Sequence, residues 1–280
     1  MNKFAKSFYE HSSQYFIILF LILASFNLIA QDSDESEYIE SVTIIGSKED
    51  VKDLAGSGAV ISNEDLQKAM DTDIQKILTA VPGIYMRTEE GYGLRPNISI
   101  RGTAIERSGK VTIMEDGVLV APAPYTASSA YYFPTTGRIH AVEVLKGPAV
   151  VSQGPQTIGG AINLISTPIP KVASGKFIQE IGENGMTRTH TYYGASQGNF
   201  GALVEIHEHA SDGYDSIANV GGDTGFDKSD LMIKANYTSG NHSLTFKRVD
   251  LDETSNQSYV GLSQASFNAN PRMRYGATAY

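Results

Sequence analysis

The stretch Ile139-His-Ala-Val-Glu-Val-Leu-Lys-Gly-Pro148, followed by Gly159-Gly-Ala-Ile-Asn-Leu-Ile165, decides the fold of the first half of the chain. Its apolar, partly β-branched residues predict two short strands, Ile139–Val144 and Ala161–Ile165. Gly147 and Gly159 stand where these strands turn sharply, and such positions favour a residue without a Cβ atom. Pro148 fixes the backbone directly after the first turn.

Neighbouring signals extend this region into a larger domain. Ser62 and Asp65 have the spacing of a capping box that opens a helix, and a second helix, capped by Asp71 or Thr72, is predicted from the apolar spacing of Ile74 to Val81. Three more strands are predicted at Asn97–Arg101, Val111–Met114 and Val118–Ala121. The last two are joined by Glu115-Asp116-Gly117, where Asp-Gly supplies the positive φ of a tight hairpin. Residues from about 50 to 165 are therefore predicted to form an α+β domain.

The second half of the chain has a different pattern. Segments of roughly ten residues alternate between apolar and polar side chains, as tilted strands of a membrane barrel do. These segments are Gly175–Ile181, Thr187–Ser196, Phe200–Ser211, Lys228–Tyr237 and His242–Asp252. A soluble β-sandwich has a similar alternation, so the pattern alone leaves both architectures open.

Composition excludes several classes of function. The 280 residues carry 22 Lys and Arg against 31 Asp and Glu, a net charge of −9 that argues against nucleic acid as a partner. Cysteine is absent, which excludes disulfides, thiolate metal sites and cysteine nucleophiles. Glu205, His207 and His209 alternate on one predicted strand face, which we interpret as the polar face of a strand rather than a metal site. No catalytic motif is visible, so we do not expect an enzyme.

The N-terminus has the pattern of an export signal. Lys3 and Lys6 precede the apolar run from Phe16 to Ala24, and Ala30 ends a segment typical of a secretory signal peptide over residues 1–30. A transmembrane anchor is the alternative, but the run is shorter than the ~20 residues that a spanning helix needs. Export favours the barrel interpretation of the second half.

The ordered motifs resemble a known family. Pro82-Gly-Ile84, Ile98-Ser-Ile-Arg-Gly102, Met114-Glu-Asp-Gly-Val118, Val142-Glu-Val-Leu-Lys-Gly-Pro148 and Gly159-Gly-Ala-Ile-Asn-Leu-Ile165 follow one another as in the plug domain of TonB-dependent outer-membrane receptors. Glu90–Asn97, Ala121–Tyr125 and Tyr131–Pro134 are most similar to the ferric dicitrate and siderophore branch. The resemblance implies an α+β plug domain over residues 50–168, followed at residues 169–280 by the first antiparallel strands of a transmembrane β-barrel.

The resemblance also implies a mode of action. Such a receptor lies in the outer membrane of a Gram-negative bacterium, contacts outer-membrane lipid, and takes up a scarce ferric chelate when periplasmic TonB pulls on the plug. It needs no cofactor, since iron enters only as part of the chelate. The candidate TonB-binding segment, within a flexible lead over residues 31–49, consists of Ile39, Glu40, Ser41, Val42, Thr43, Ile44 and Ile45. Its β-branched residues suit strand addition to a partner, and the alternative is the first strand of the plug itself.

Two further sets of residues follow from the resemblance. Arg101 and Lys146 are expected to anchor the plug through ion pairs with carboxylates on the barrel wall; the alternative for Arg101 is a surface pair. The chelate is anionic, and Arg with Tyr suits carboxylate ligands, so a second set is expected to contact it at the outer mouth. That set is Arg95, Arg107, Tyr125, Tyr131 and Tyr132. Structural roles in loops are an equal alternative for each of these five residues.

Two other functions stay open at this stage. A receptor of the same architecture for an oligosaccharide or peptide is one, because Tyr-rich pockets also bind sugars, and an exported β-rich adhesin is the other.

Five strands leave unpaired edges that lipid does not tolerate, and a barrel around a plug needs ~22 strands. We therefore expect the chain to be the N-terminal part of a longer protein.

Overall fold

Short β-branched runs separated by glycine give the first half of the chain a mixed sheet, and longer alternating runs give the second half an antiparallel one. The computed structural model describes residues 43–54, 56–69, 73–88, 92–120, 127, 129, 132–154, 157–218, 221–256 and 261–276.

The helices are short. They are α1 (Asn63–Ala69), α2 (Ile74–Thr79) and α3 (Gln264–Ala269), with single 3₁₀ turns at Asp50–Asp53, Glu106–Ser108, Thr136–Arg138 and Pro148–Gln153. The capping box is confirmed, because Asp65 accepts hydrogen bonds from the backbone and hydroxyl of Ser62. Asp73 caps α2, whereas the predicted caps Asp71 and Thr72 lie outside the described residues. Within the described ranges, no helix is long and apolar enough to cross a membrane.

The described residues of the first half form seven strands. They are β1 (Ser57–Ile61), β2 (Ile84–Arg87), β3 (Asn97–Ile100), β4 (Val111–Glu115), β5 (Val118–Leu119), β6 (Ile139–Lys146) and β7 (Gly160–Ser166). Five of them form one sheet in the order β1-β6-β7-β4-β5, with β4 and β7 parallel and the other pairs antiparallel; β2 and β3 form a separate hairpin. The predicted strands are confirmed with shifts of a few residues at their ends. The Asp-Gly turn is also confirmed, since Asp116 and Gly117 have φ of 49° and 77°.

The core of this domain lies between the sheet and α2. Its apolar side chains come from α2, the hairpin and the three central strands. They include Ile74, Leu78, Ile98, Ile100, Val111, Ile113, Val142, Val144, Ile162 and Leu164. Burial of this many large aliphatic side chains, at ~1.5–3 kcal/mol each, is the main term that stabilises the domain.

The second half contains a meander of five long strands. They are β8 (Ser174–Ile181), β9 (Thr187–Gln197), β10 (Phe200–Ser211), β12 (Phe226–Ser239) and β13 (His242–Ser255). They pair antiparallel in the order β13-β12-β10-β9-β8 and match the five predicted segments. Two short strands that the sequence did not predict, β11 (Ser216–Ala218) and β14 (Met273–Tyr275), pair in parallel outside the meander. We call residues 50–168 the plug and the five-stranded meander the wall.

The two faces of the wall differ in polarity, and the charged face is the buried one, which is the reverse of a soluble sheet. Lys228, Asp230 and Lys234 of β12 are buried on the face that covers the plug. On the other face, Phe177 and Leu244 are 70% and 72% exposed. An apolar face outside and a charged face inside are typical of a barrel wall in lipid, so the sandwich alternative is not supported.

Candidate functional site between the plug and the wall

A buried arginine joins the plug to the wall. Arg138 ends the 3₁₀ turn before β6 and is 1% exposed. Its Nε donates to Oδ2 of Asp230 on β12 at 2.9 Å, and both terminal nitrogens donate to the carboxylate of Glu115 on β4. One planar guanidinium thus bridges a carboxylate of each partner, and its two terminal nitrogens match both oxygens of Glu115, a bidentate geometry that a lysine ammonium does not offer.

Two lysines of the wall complete the contact from the other side. Lys247 Nζ of β13 lies 2.6 Å from Oδ2 of Asp116 and also contacts Glu115. Lys234 Nζ of β12 lies 3.6 Å from the same Asp116 oxygen and donates to the backbone carbonyl of Thr167 at 2.9 Å. We call the following six residues the interface cluster: Glu115, Asp116, Arg138, Asp230, Lys234 and Lys247. With three carboxylates and three cations the cluster is neutral, so the attraction among its members offsets the desolvation penalty of burying them.

Mutual attraction keeps the plug members of the cluster ionised. Burial raises the pKa of Glu115, but Arg138 and Lys247 outweigh it, so that the pKa lies below its usual value. The pKa of Asp116 is lowered in the same way by Lys234 and Lys247 against burial. Burial raises the pKa of Tyr132, whose hydroxyl oxygen accepts from Arg138 at 3.0 Å, to about 12. At neutral pH the carboxylates are therefore charged and the phenol is not.

A close backbone contact lies beside the cluster. A Cβ atom on Gly137 would stand 2.2 Å from Nε2 of His207 on β10, so only glycine fits against this ring. His190 and Thr167 both bond Oε1 of Glu205, at 2.6 and 3.0 Å. Within the described part of the chain no group of His, Asp and Glu side chains is arranged to bind a metal ion.

A second set of contacts between plug and wall lies near the start of β12 and the end of β13. Arg95 Nη1 is 2.5 Å from Oε1 of Glu253 on β13, and Lys228 Nζ is 3.2 Å from Oε2 of the same carboxylate. The ring of Tyr92 packs on Phe226 with centroids 4.6 Å apart. The loop before β3 is therefore held against the wall by charge and by aromatic packing.

The residues predicted to contact the chelate have different surroundings. Arg95 is paired with Glu253, and Tyr132 belongs to the surroundings of Arg138. Arg107 is half-buried with a left-handed φ of 54°, and its backbone N–H donates to Oδ1 of Asn97 at 2.8 Å. Tyr125 and Tyr131 lie outside the described residues.

Arg101 and Lys146 lie on the side of the plug away from the interface cluster. The predicted strand ends at Ile100, so Arg101 lies beyond it with an exposed side chain whose Nη2 donates to Ser57 Oγ at 2.9 Å. Lys146 is buried and its Nζ donates to the carbonyl of Pro82 at 2.9 Å. Burial and the charge of Arg101 lower the pKa of Lys146. Among the described residues, neither cation forms an ion pair with a carboxylate.

The candidate TonB-binding segment is described only at its end. Residues 39–42 lie outside the described residues. Thr43, Ile44 and Ile45 are not in a strand, so the alternative that the segment forms the first strand of the plug is wrong for these three residues, and the first described strand of the plug is β1. The backbone N–H groups of Ile44 and Ile45 donate to the side chain of Glu143 instead of to a neighbouring strand.

Sequence reasoning missed most of the interface cluster and Glu143. The sequence places Glu115 and Asp116 in a turn and in one of the five ordered motifs but predicts no contact of theirs with the wall, and it does not single out Arg138. The sequence does contain a signal for these contacts, because charged residues lie at the ends of apolar strands in the plug and at alternating positions of β12. That alternation places Lys228, Asp230 and Lys234 on one face of the strand.

Comparisons with known proteins give a consistent result. Residues 50–161 match the model of the TonB-dependent Receptor Plug Domain. An iron-regulated outer membrane virulence protein of Vibrio cholerae serotype O1 is 30% identical over 151 residues, which cover 52% of this chain and 22% of that protein. The vitamin B12 transporter BtuB of Photobacterium profundum is 22% identical over 212 residues, covering 75% of this chain and 34% of the transporter.

Solved structures show the same fold. The unliganded ferric citrate transporter FecA superposes with a TM-score of 0.69 at 23% identity, covering 85% of this chain and 37% of that one. The ferric yersiniabactin uptake receptor FyuA of Yersinia pestis gives a TM-score of 0.61 at 19% identity, covering 74% and 33%. The chain thus spans between about a fifth and two fifths of the length of the proteins it matches.

Proposed function

Because residues 50–161 match the model of the TonB-dependent Receptor Plug Domain, we propose that the protein acts in active uptake of a ferric chelate across the outer membrane. The protein is located in the outer membrane of a Gram-negative bacterium, where lipid contacts the exposed apolar face of the wall. The task is transport rather than catalysis. TonB supplies the energy by pulling on Ile39–Ile45.

The observation that carries this proposal is the neutral interface cluster. A separately folded domain is held against the charged inner face of a lipid-facing wall by buried ion pairs. Such a domain blocks the path through the barrel until its ion pairs with the wall are broken, and breaking them requires energy. The proposal of iron as cargo is supported by the iron-regulated relative and by the resemblance to the ferric citrate transporter.

We propose specific roles for the predicted residues. Arg107 is the proposed contact for an anionic chelate, together with Tyr125 and Tyr131. Arg95 contacts the ligand only when its ion pair with Glu253 is broken. Tyr132 contacts it only when the ligand lies close to Arg138, to which the Tyr132 hydroxyl is hydrogen-bonded. Since no described carboxylate pairs with Arg101 or Lys146, we propose that acidic side chains of further wall strands pair with both.

A cobalamin is the second candidate cargo. The B12 transporter of Photobacterium profundum aligns with more of this chain than the iron-regulated protein does, 75% against 52%. The lower identity of that alignment, 22% against 30%, keeps the ferric chelate first.

Uptake by cells that carry the natural gene tests the proposal. Cells starved of iron are given radiolabelled iron as ferric citrate or as a ferric siderophore, or labelled cyanocobalamin, with and without deletion of residues 39–45. We expect uptake of a ferric chelate that the deletion abolishes, and deletion of an equally long stretch within residues 31–38 serves as the control. Uptake of cobalamin alone supports the second candidate. Induction by a glycan, or cell adhesion unaffected by the deletion, contradicts both.

A further inference from the structure

The carboxylate of Glu143 binds three consecutive backbone amides at the start of the described chain. Ile44 N donates to Oε2 at 2.8 Å, and Ile45 N and Gly46 N donate to Oε1 at 2.7 and 2.8 Å. The amide of Asn163 on β7 adds a fourth donor at 2.8 Å. Glu143 is 1% exposed and forms no ion pair within the described residues, so oriented N–H groups compensate its charge.

These contacts are strong for their size. Hydrogen bonds from N–H groups to an ionised carboxylate are about twice as strong as neutral ones, and burial removes the competition of water. The side chain of Ile45, 8% exposed, adds apolar contacts in a cluster with Met114, Leu145 and Val150. Ile44 packs against the same cluster, so Thr43–Gly46, which we call the docked segment, is held by one charge and two apolar side chains.

The strand that carries Glu143 also carries the tie to the wall. β6 begins directly after Arg138, which the interface cluster holds, and reaches Glu143 five positions later. β1, the next strand along the chain after the docked segment, lies at the edge of the sheet, and among the described strands it pairs only with β6. A pull on the N-terminal side of Thr43 therefore meets Glu143 before it meets any pairing of the sheet.

We propose that Glu143 is the positioning residue that keeps the docked segment on the plug and thereby controls access of TonB to Ile39–Ile45. This inference rests on the proposed function. A partner that binds only the released segment has its apparent affinity lowered by the fraction of molecules that is released. Removing the carboxylate charge raises that fraction and strengthens the partner's binding without a new contact to it.

Single cysteines test the proposal, because the natural chain has none. Ile45→Cys is labelled by a maleimide only when the docked segment leaves the plug. Val150→Cys, at a residue of the same apolar cluster that is 1% exposed, reports loosening of the plug as a whole. Each is measured in the otherwise natural protein, in Glu143→Gln, and in Glu64→Gln as a matched control at an exposed acid of α1.

The expected result is selective. Glu143→Gln should raise the labelling rate of Ile45→Cys about 10- to 100-fold, since three charge-assisted bonds are weakened, and leave Val150→Cys slow. Glu64→Gln should change neither rate. An unchanged rate at Ile45→Cys, or an equal rise at both cysteines, overturns the proposal.

A purified C-terminal domain of TonB separates this inference from the proposed function. Tighter binding of that domain to Glu143→Gln than to the natural protein supports both. Faster labelling of Ile45→Cys without any binding of the domain leaves the role of Glu143 in docking intact and contradicts the proposed function. Slow labelling together with normal TonB-dependent uptake contradicts only the role of Glu143.

Discussion

Replacing Arg138 with methionine tests whether the interface cluster holds the plug against the wall. Methionine keeps much of the side-chain volume but removes every donor. Among the described residues, Asp230, itself 1% exposed, is then left with the hydroxyl of Thr135 alone, while Glu115 keeps Lys247. Removal of one partner of a buried ion pair costs ~3–5 kcal/mol. Because Glu115 keeps a cation, we expect the lower end, about 3 kcal/mol.

That free energy has a measurable counterpart in how often the plug opens. At 1.4 kcal/mol per factor of ten, about 3 kcal/mol corresponds to a roughly 100-fold larger open fraction. Hydrogen exchange of the β6 amides in the purified protein measures this fraction directly. Arg138→Lys keeps the charge but not the fork, so its effect should be smaller, about 1–2 kcal/mol.

A double variant distinguishes a lost ion pair from a lost side chain. Arg138→Met combined with Asp230→Asn removes the stranded carboxylate, so it should be more stable than Arg138→Met alone. The reasoning is refuted if Arg138→Met changes exchange by less than about threefold, ~0.6 kcal/mol, or if the second substitution brings no recovery.

Three further expectations concern the same interface. Gly137→Ala places a methyl group 2.2 Å from His207 Nε2, so the free energy of unfolding should fall by ~1–3 kcal/mol, and adding His207→Ala should restore most of it in thermal melts. Lys247→Met should loosen the plug, whereas Arg248→Met, at the next and exposed residue, should change stability by less than ~0.5 kcal/mol; equal effects in urea unfolding would contradict the assigned faces. Burial, with help from two wall lysines, lowers the pKa of His140 to about 4 from its ordinary 6.5. The unfolded chain therefore takes up the proton first, so stability should hold above pH 6.5 and decline by up to about 3 kcal/mol towards pH 4, and His140→Asn should flatten this profile.

Local patterns in the sequence predict most of the helices and strands but not the contacts between them. The five wall segments were found because period-two alternation is a property of each strand by itself. β1 was missed because Gly56 and Gly58 interrupt its apolar run, and Gly58 is needed where β1 meets Leu54 and the backbone of β6. The alternative of a plug strand through Ile45 fails because the N–H groups of Ile44 and Ile45 bond the side chain of Glu143 instead of another strand.

The interface could not be derived from such patterns. Arg138 and Asp230 are 92 positions apart, and Glu143 and Ile45 are 98 apart. Which buried charge meets which depends on how the plug is oriented against the wall, and a periodicity contains no information about that orientation. The resemblance to plug domains predicts Arg101 and Lys146 as anchoring cations, but among the described residues they bond Ser57 and the carbonyl of Pro82 and no carboxylate. The contacts of the plug with the described wall strands are apparent only from the three-dimensional structure.

The six charges of the interface cluster are divided unevenly between the two surfaces. Glu115, Asp116 and Arg138 leave the plug side with one negative charge, and Asp230, Lys234 and Lys247 leave the wall side with one positive charge. Once parted, the two surfaces carry opposite net charge and attract each other, so Coulomb attraction opposes any separation of the plug from the wall. The wall surface exposed by such a separation presents Lys234 and Lys247 against the single carboxylate of Asp230, so it is electropositive and attracts anions.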